Sequence, residues 1–431
     1  MSVLYSLPDN LRRYERQGRV VMINPDVPAW IVVDKIGELI VSLFDGSRTV
    51  PQVIETAVEG LGEGSRPQVE ELCRGVIESR LFEDAQPTRK PPYRLTMVHV
   101  SLSEGCNLRC IYCYAKERKE VGGKLLTMEE YKRVVDEILS INPSCDFTLT
   151  GGEPMLNPLW EDIARYIHSR GGGVLMLTNG TLIDERNVKI MRECMSQVTL
   201  SVDGSNRSIH GMTRGDNLDK VEHAIRLLEE NGVCYTLSMT VTKLNIHDVE
   251  SMSRKYGRRL RYAPLFPVND ASRDDSLSIT GIDYFNALKS AAGVVPLSYC
   301  ESALEGSKRE RHRKCAIADG EISISPTGDV YPCQLLHFPE FYAGNVREEN
   351  VADIYRNSPV LKKAAALDVD NIEGCKDCAF KYICGGACRA RSYYETGNIA
   401  KSGDFCAYER EAFLDGIVSL YSENRLHSGN D

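Results

Sequence analysis

The chain has 431 residues, 15 cysteines and a formal net charge of −9, in a composition typical of soluble globular proteins. Its length is sufficient for two or three domains, and its acidic balance argues against nucleic acid or an anionic membrane as a partner. No apolar run is long enough to span a bilayer. The N-terminal residues have no uninterrupted apolar core and no cleavage site, so we expect a cytoplasmic protein without an export signal.

The cysteines are the unusual part of the composition. In a reducing compartment they are not expected to form disulfides, and ten of the fifteen stand in tight groups, which favours metal ligation. Five are scattered, and all of these except Cys300 are expected to be small buried apolar residues. The scattered cysteines are Cys73, Cys145, Cys194, Cys234 and Cys300.

Residues 1–84, here called the front domain, are predicted to form a winged-helix-like α+β unit. The runs RVVMINP and AWIVVD predict two strands, and apolar residues at helical spacing from Ile36 to Phe44 predict a helix that DGS should end. Thr49 followed by Pro51 predicts the start of a second helix, and the apolar face of residues 69–77 predicts a third. The proline-rich stretch 85–94 predicts a linker.

Residues 95–268 alternate strand-like and helix-like segments, which predicts βα repeats around a parallel sheet. A capping box formed by Thr127 and Glu130 predicts the start of the clearest helix. Six such units predict a partial (β/α)6 barrel, in which chemistry gathers beyond the carboxyl ends of the strands. The predicted strands are Val98–Leu102, Phe147–Thr150, Val174–Thr178, Val198–Val202, Tyr235–Val241 and Leu260–Leu265.

Four unusual motifs follow successive predicted strands. CNLRCIYCY, residues 106–114, follows the first strand and is here called the three-thiol loop. GGEP at 151–154 follows the second strand, TNG at 178–180 the third, and SVDG at 201–204 the fourth. Because the carboxyl ends of parallel strands meet at one edge, we expect all four motifs on the same rim of the sheet.

The three-thiol loop carries Cys106, Cys110 and Cys113 without a fourth cysteine. Cubane iron–sulfur clusters are usually held by four thiolates, so three would leave one iron without a protein ligand. An open position on a metal is where a reactant binds. A zinc site completed by a distant histidine, or three unrelated surface thiols, are the alternatives.

With an aromatic residue inside the loop and the other motifs on neighbouring strands, residues 95–265 resemble the radical S-adenosylmethionine (radical SAM) superfamily. The resemblance implies a [4Fe-4S] cluster on the three thiols, with S-adenosylmethionine chelating the open iron. It further implies a 5′-deoxyadenosyl radical that abstracts hydrogen from a substrate carbon. The implied cofactor contacts are Tyr112 near adenine, Gly151, Gly152 and Glu153 near the methionine amino group, Ser201 and Asp203 near ribose, and Arg214 near the carboxylate.

Residues 269–310 are predicted to be a connector, and residues 311–410 hold the second group of cysteines. Their spacing is C-x12-G-x4-C, then C-x2-C-x5-C-x3-C, then a final C. Seven thiols do not divide into zinc's sets of four, although a zinc ribbon remains an alternative for the C-x2-C part. The array is similar to the SPASM extension of radical SAM enzymes, which implies two auxiliary [4Fe-4S] clusters and three in the whole chain.

By this resemblance the first auxiliary cluster lacks an obvious fourth ligand, which would be Cys300, a substrate thiol or none. The basic run SKRERHRKC before Cys315 is predicted to be a solvated loop, with a cluster or an acidic peptide as alternative partners. A helix is predicted within YEREAFLDGIVSLYSE, and residues 411–431 are assigned to it and a tail. The implied ligands are Cys315, Cys333 and Cys388 for the first cluster, and Cys375, Cys378, Cys384 and Cys406 for the second.

The front domain is similar to the peptide-recognition element (RRE) of ribosomal peptide biosynthesis. This resemblance implies that a leader peptide adds as a strand to an exposed sheet edge. A winged-helix DNA binder is the competing hypothesis, but residues 1–90 contain 11 Lys and Arg against 14 Asp and Glu, the wrong sign for binding phosphates. A purely structural cap is the third possibility.

Together these features predict a radical SAM peptide maturase that forms a thioether or carbon–carbon cross-link in a core peptide. Its predicted partners are a ribosomally made precursor peptide and an electron donor such as flavodoxin or ferredoxin. A sulfatase-maturating enzyme is an alternative, disfavoured because Gln334 stands where those relatives carry an aspartate. A tetrapyrrole-modifying radical SAM enzyme is another, and an iron–sulfur electron carrier or zinc scaffold is the non-enzymatic alternative.

Overall fold

The computed structural model describes residues 3–83, 95–117, 123–268, 274–291 and 311–427, with side chains as far as residue 421. The predicted linker 85–94 lies outside the described residues, as do Cys300 and most of the predicted connector. No helix in the described ranges is long and apolar enough to cross a membrane.

The front domain contains the predicted strands and helices and three further strands. Asp34 caps the first helix by accepting from Gly37 N, and Thr49 forms a capping box with Gln52 at the second. The DGS segment was expected only to end the first helix. It instead begins a strand, which pairs with the N-terminal strand. The elements are β1 Leu4–Ser6, β2 Arg12–Arg16, β3 Arg19–Asn24, β4 Ala29–Val33, α1 Lys35–Ser42, β5 Asp45–Thr49, α2 Val50–Leu61 and α3 Arg66–Glu78.

The antiparallel sheet β2-β3-β4 has two apolar faces. Side chains alternate along a strand, so Val20 and Met22 of β3 pack on the front-domain helices. Val21 and Ile23 face the other way and share a core with Phe380 and Phe413 of the C-terminal region. The front domain is therefore packed against the part of the chain that carries the second group of cysteines.

The middle of the chain contains the predicted parallel strands, which confirms the partial-barrel sheet. The capping box of Thr127 and Glu130 is present, with both of its hydrogen bonds formed. Strands β6 to β11 pair in chain order, all parallel. They are β6 Met97–Ser103, β7 Asp146–Gly151, β8 Gly173–Thr178, β9 Gln197–Ser201, β10 Tyr235–Val241 and β11 Leu260–Pro264. The helices of this region are α4 Met128–Ile141, α5 Trp160–Ser169, α6 Asn187–Cys194, α7 Arg207–Arg214, α8 Leu218–Glu230, α9 Val249–Tyr256 and α10 Gly281–Ser290.

The C-terminal region extends the same sheet, which the sequence patterns did not predict. Strand β12, Glu321–Ile324, pairs in parallel with β6, and β13, Asp329–Tyr331, and β14, Gly344–Asn345, follow in antiparallel order. The predicted final helix begins at Cys406, earlier than expected, and is the last of five. These are α11 Val351–Asn357, α12 Pro359–Ala365, α13 Lys381–Cys384, α14 Arg389–Thr396 and α15 Cys406–His427.

Substitution of Phe413 tests the core that the front domain and the C-terminal region share. Its side chain is fully buried, so Phe413→Ala should lower the free energy of unfolding by about 3–5 kcal/mol. The measurement is urea unfolding followed by tryptophan fluorescence, since Trp30 packs against this core. Leu39→Ala is the control, because Leu39 is 68% exposed and should change stability by no more than about 0.5 kcal/mol. Equal effects of the two substitutions would contradict the shared core.

Candidate active site and cysteine sites

The three-thiol loop follows β6 on the rim, and hydrogen-bond donors point at its sulfurs. Leu108 N lies 3.4 Å from Cys106 Sγ and Asn179 Nδ2 lies 3.8 Å from the same atom. Burial raises the pKa of both Cys106 and Cys110, and the charges of neighbouring loop thiols, Cys113 among them, raise it further. The three predicted ligands therefore lie within electrostatic range of one another.

Gly151 and Gly152 let the next motif approach the start of this loop closely. Gly152 N donates to Ser103 O at 2.7 Å, and Glu153 N donates to Gly105 O at 2.9 Å. A Cβ atom at position 152 would lie 2.3 Å from Gly105 O, far inside van der Waals contact. Gly151 has φ +134°, and a Cβ atom there would lie 2.2 Å from Ser103 O. Only glycine fits this packing of backbone on backbone.

Glu153 is fully buried and joins the second motif to the third. Its carboxylate accepts from Thr178 Oγ1 at 2.8 Å, from Asn179 N at 2.9 Å and from Met155 N at 3.2 Å. Burial raises the pKa of Glu153, although these donors oppose the increase. The side chain thus holds the GGEP and TNG segments together, and Asn179 extends this contact to Cys106.

Asp203 joins the three-thiol loop to the fourth motif. It accepts a hydrogen bond from the Tyr112 hydroxyl, and Arg214 Nε lies 2.9 Å from its Oδ2 atom. Arg214 Nη1 in turn lies 3.7 Å from Cys110 Sγ. Burial, together with the Asp203 charge, raises the pKa of Tyr112 well above its ordinary value, despite the opposing charge of Arg214, so its hydroxyl remains a donor. Ser201, the last residue of β9, is half-buried on the same rim.

The four cysteines predicted to hold the second auxiliary cluster, here called the second auxiliary set, lie near one another. Burial raises the pKa of Cys384 well above its ordinary value, and the charges of Cys406, Cys378 and Cys375 raise it further. Burial also raises the pKa of Cys375 and of Cys406, and the charge of Arg389 opposes the increase at both. The pKa of Cys406 is raised to about 11. Arg389 is 1% exposed and donates to the carbonyls of Gly386, Ile399 and Lys401. The sequence patterns did not indicate this buried cation, whose only signal was its position next to Cys388.

The first auxiliary set, Cys315, Cys333 and Cys388, is a separate group. Burial raises the pKa of Cys333 well above its ordinary value, and Glu321, Cys388 and Cys315 add to the increase. The N–H groups of Arg391 and Ala390, at the start of α14, donate to the Cys388 sulfur. A cavity of about 300 Å³ is lined by one cysteine of each group, Cys388 and Cys406.

Two predictions about the surface were wrong. The described end of the basic run is not a free solvated loop, because Arg313 pairs with Asp368 at 2.7 Å and with Asp370 at 2.7 Å. Cys234 is exposed rather than buried, whereas Cys73, Cys145 and Cys194 are buried as expected. The charge run had acidic partners far away in sequence, which spacing could not indicate.

The chemistry of these sites fits thiolate-bound clusters. Every cysteine in the described ranges is a free thiol, and N–H donors or arginines lie beside several of the grouped sulfurs, those of Cys106, Cys110, Cys375 and Cys388 among them. Such donors stabilise thiolates, which are the form that binds metal. Within the described residues, no group of three or more His, Cys, Asp or Glu side chains is arranged to hold a single metal ion.

The packing beneath the three-thiol loop gives a direct test. Gly152→Ala should displace Glu104 and Gly105 and cost about 1–3 kcal/mol of unfolding free energy, because overpacked backbone must move. The matched control is Gly75→Ala in α3, where a Cβ atom meets open space and up to about 1 kcal/mol is gained. Urea unfolding of both variants measures the difference. A neutral Gly152→Ala variant would refute the close contact.

The chain is similar to enzymes of several activities. It is 28% identical to the AdoMet-dependent heme synthase of Methanosarcina barkeri, over 71% of this chain and 95% of that protein. It is 25% identical to the antilisterial bacteriocin subtilosin biosynthesis protein AlbA of Bacillus subtilis, over 74% of this chain and 72% of AlbA.

Solved structures share the fold. anSMEcpe with bound AdoMet matches 76% of this chain and 99% of its own, with a TM-score of 0.65 at 22% identity. Streptococcus suis SuiB bound to S-adenosylmethionine matches 93% of this chain and 99% of its own, with a TM-score of 0.58 at 14% identity. The SuiB match covers more of this chain than the anSMEcpe match does.

Family models match both cysteine-bearing regions. Residues 100–255 match the radical SAM superfamily, and this stretch includes the three-thiol loop and the strands that follow it. Residues 315–379 match SPASM, an iron–sulfur cluster-binding domain. The predicted fold class and enzymatic nature are thereby confirmed, and the non-enzymatic hypothesis is set aside. The chain contains a radical SAM domain and a SPASM domain and is a radical SAM/SPASM enzyme.

Proposed function

We propose that this enzyme is a peptide maturase whose front domain holds the leader of a ribosomally made precursor. At the rim of the barrel, a residue of the core peptide would lose one hydrogen atom. The thioether or carbon–carbon cross-link would then form with loss of a proton and of an electron, and an auxiliary cluster would accept that electron. The observation that carries the proposal is the shared core in which Val21 and Ile23 of the front sheet pack on Phe380 and Phe413. A peptide bound to that sheet would be held directly beside the C-terminal cysteine sites.

The front sheet offers a suitable edge for the leader. Strands β2 and β4 are its two edges, and no further strand in the described part of the chain pairs with either of them. Strand β2 is rich in arginine, and charged edge strands resist pairing. Strand β4, AWIVV, is apolar and is followed by Ile36 and Leu39, which are 52% and 68% exposed. We therefore place the leader as an added strand on β4.

The cofactor sites follow from the donor sets. When bound, the cluster and S-adenosylmethionine supply a 5′-deoxyadenosyl radical that takes hydrogen from a substrate carbon. The chain's part is to hold and orient them and to exclude water, with an electron donor such as flavodoxin or ferredoxin as a further partner. Cluster ligands would be Cys106, Cys110 and Cys113 on the rim, Cys315, Cys333 and Cys388 for the first auxiliary cluster, and Cys375, Cys378, Cys384 and Cys406 for the second. Residues around S-adenosylmethionine would include Gly151, Gly152 and Ser201.

The relatives support peptide chemistry and one other candidate. AlbA takes part in bacteriocin biosynthesis, and SuiB has been solved bound to its precursor peptide SuiA. Tetrapyrrole modification is the second candidate, because the heme synthase shares 28% identity with this chain. That activity would leave the front domain unused. A sulfatase-maturating activity is less well supported, since the Gln334 amide cannot act as a base in place of a carboxylate.

Isotope transfer tests the proposed function. The reconstituted enzyme, S-adenosylmethionine and a reductant are incubated with a core-deuterated precursor peptide encoded beside this chain. We expect deuterium in 5′-deoxyadenosine and a peptide that has lost two hydrogens per cross-link. The same peptide without its leader is the control and should react much more slowly. Label transfer from a tetrapyrrole and none from the peptide would overturn the proposal in favour of the second candidate.

Iron content tests two of the three sites separately. Replacing Cys106, Cys110 and Cys113 with alanine should remove about four irons per chain and abolish S-adenosylmethionine cleavage. Replacing Cys375, Cys378 and Cys384 should also remove about four irons but leave the cleavage reaction measurable. Cys145→Ala is the matched control, because this buried thiol lies outside the groups and should leave iron content unchanged. Equal iron in all variants would contradict the assignment.

A further inference from the structure

The carboxylate of Asp203 is buried and is held by donors of the chain itself. Its Oδ2 atom accepts from the Tyr112 hydroxyl and, at 2.9 Å, from Thr213 Oγ1, and it lies 2.9 Å from Arg214 Nε. Its Oδ1 atom accepts from Thr240 N at 2.9 Å. Three donors of the chain hydrogen-bond this carboxylate, which is 0% exposed, and the charge of Arg214 lies beside it. Because the residue is buried, a ribose hydroxyl would reach it only if this packing opened.

The same network fixes the three-thiol loop from several directions. Ile111 N donates to Thr213 O at 3.1 Å, so the loop is also tied through its backbone to the end of α7. The guanidinium of Arg214 lies 5.5 Å from the centre of the Tyr112 ring and 3.7 Å from Cys110 Sγ. The Arg214 side chain is only 11% exposed. Its charge is therefore directed at the carboxylate and at the cysteine sulfur.

We infer that Asp203 and Arg214 are positioning residues that hold the three-thiol loop and place a buried positive charge beside Cys110. This inference rests on the proposed cluster at the three-thiol loop, and it replaces the contacts with ribose and carboxylate that the family resemblance implied. Reduction adds one electron to a thiolate-bound cluster, so a nearby buried cation favours the reduced form. Arg214 therefore makes that cluster easier to reduce.

The reduction potential without S-adenosylmethionine distinguishes the two roles. The anaerobic full-length enzyme is titrated and followed by electron paramagnetic resonance, using the signal that later addition of S-adenosylmethionine perturbs. In Arg214→Gln we expect the ratio of reduced to oxidised cluster at a fixed potential to fall about tenfold, a shift of about 59 mV for a one-electron couple. Arg214→Lys retains the charge and should recover part of this loss. S-adenosylmethionine affinity should change by less than about threefold.

The opposite pattern would overturn the inference. An unchanged potential with a tenfold or greater loss of S-adenosylmethionine affinity would make Arg214 a direct cofactor contact, and an unchanged potential with unchanged affinity would remove any role. A wild-type enzyme that holds the cluster but does not cleave S-adenosylmethionine would refute the proposed function instead, and the comparison of potentials would still stand.

A second pair of variants tests the positioning role without removing the arginine. Tyr112→Phe deletes one hydroxyl donor to Asp203 and should at least double the rate at which a chelator removes iron from the rim cluster. Asp248→Asn is the matched control, because Asp248 is 3% exposed and accepts from Ser205 on the same rim without touching the loop. Equal rates in wild type, Tyr112→Phe and Asp248→Asn would contradict the positioning role.

Discussion

Parallel pairing of β6 to β9 is the constraint on which the site depends. Each strand ends at the same rim, so segments separated by tens of residues in sequence meet there. The register pairs Ser103 with Gly151 and so places the two glycines under the entrance to the three-thiol loop. A slip of one residue would turn each side chain to the other face and separate these backbones. The loop geometry is thus a consequence of sheet register.

The same sheet joins the two cysteine-bearing regions. Because β12 pairs in parallel with β6, the first auxiliary cysteine group is anchored to the strand that precedes the three-thiol loop. On the other side of the barrel, both Arg391 Nη atoms donate to Leu265 O, at 2.8 and 2.7 Å. The front domain joins through the apolar core around Phe413. Rim, cysteine groups and front sheet are therefore parts of one packed structure.

Local patterns predicted most of the elements. The strand Tyr235–Val241 was predicted with its observed bounds, and the capping box of Thr127 and Glu130 starts α4 as expected. These signals are local, since alternation and capping depend on residues a few positions apart. Strands β12 to β14 were missed because they are short and are defined by pairing, β12 with β6 and the other two with β12 and with each other. Cys234 was assigned to a core by residue type alone, but its position leaves it exposed.

The sequence by itself determined the three-thiol loop, the glycines after β7 and the two later cysteine groups, because each is written in the spacing of neighbouring residues. It also determined the order of the parallel strands that carry them. Only the tertiary structure decided that the Asp203 carboxylate faces Tyr112 and Thr240, and that Arg214 faces Cys110. Those partners come from different strands and loops, and a side chain's direction among them is set by packing, which spacing along one chain does not encode.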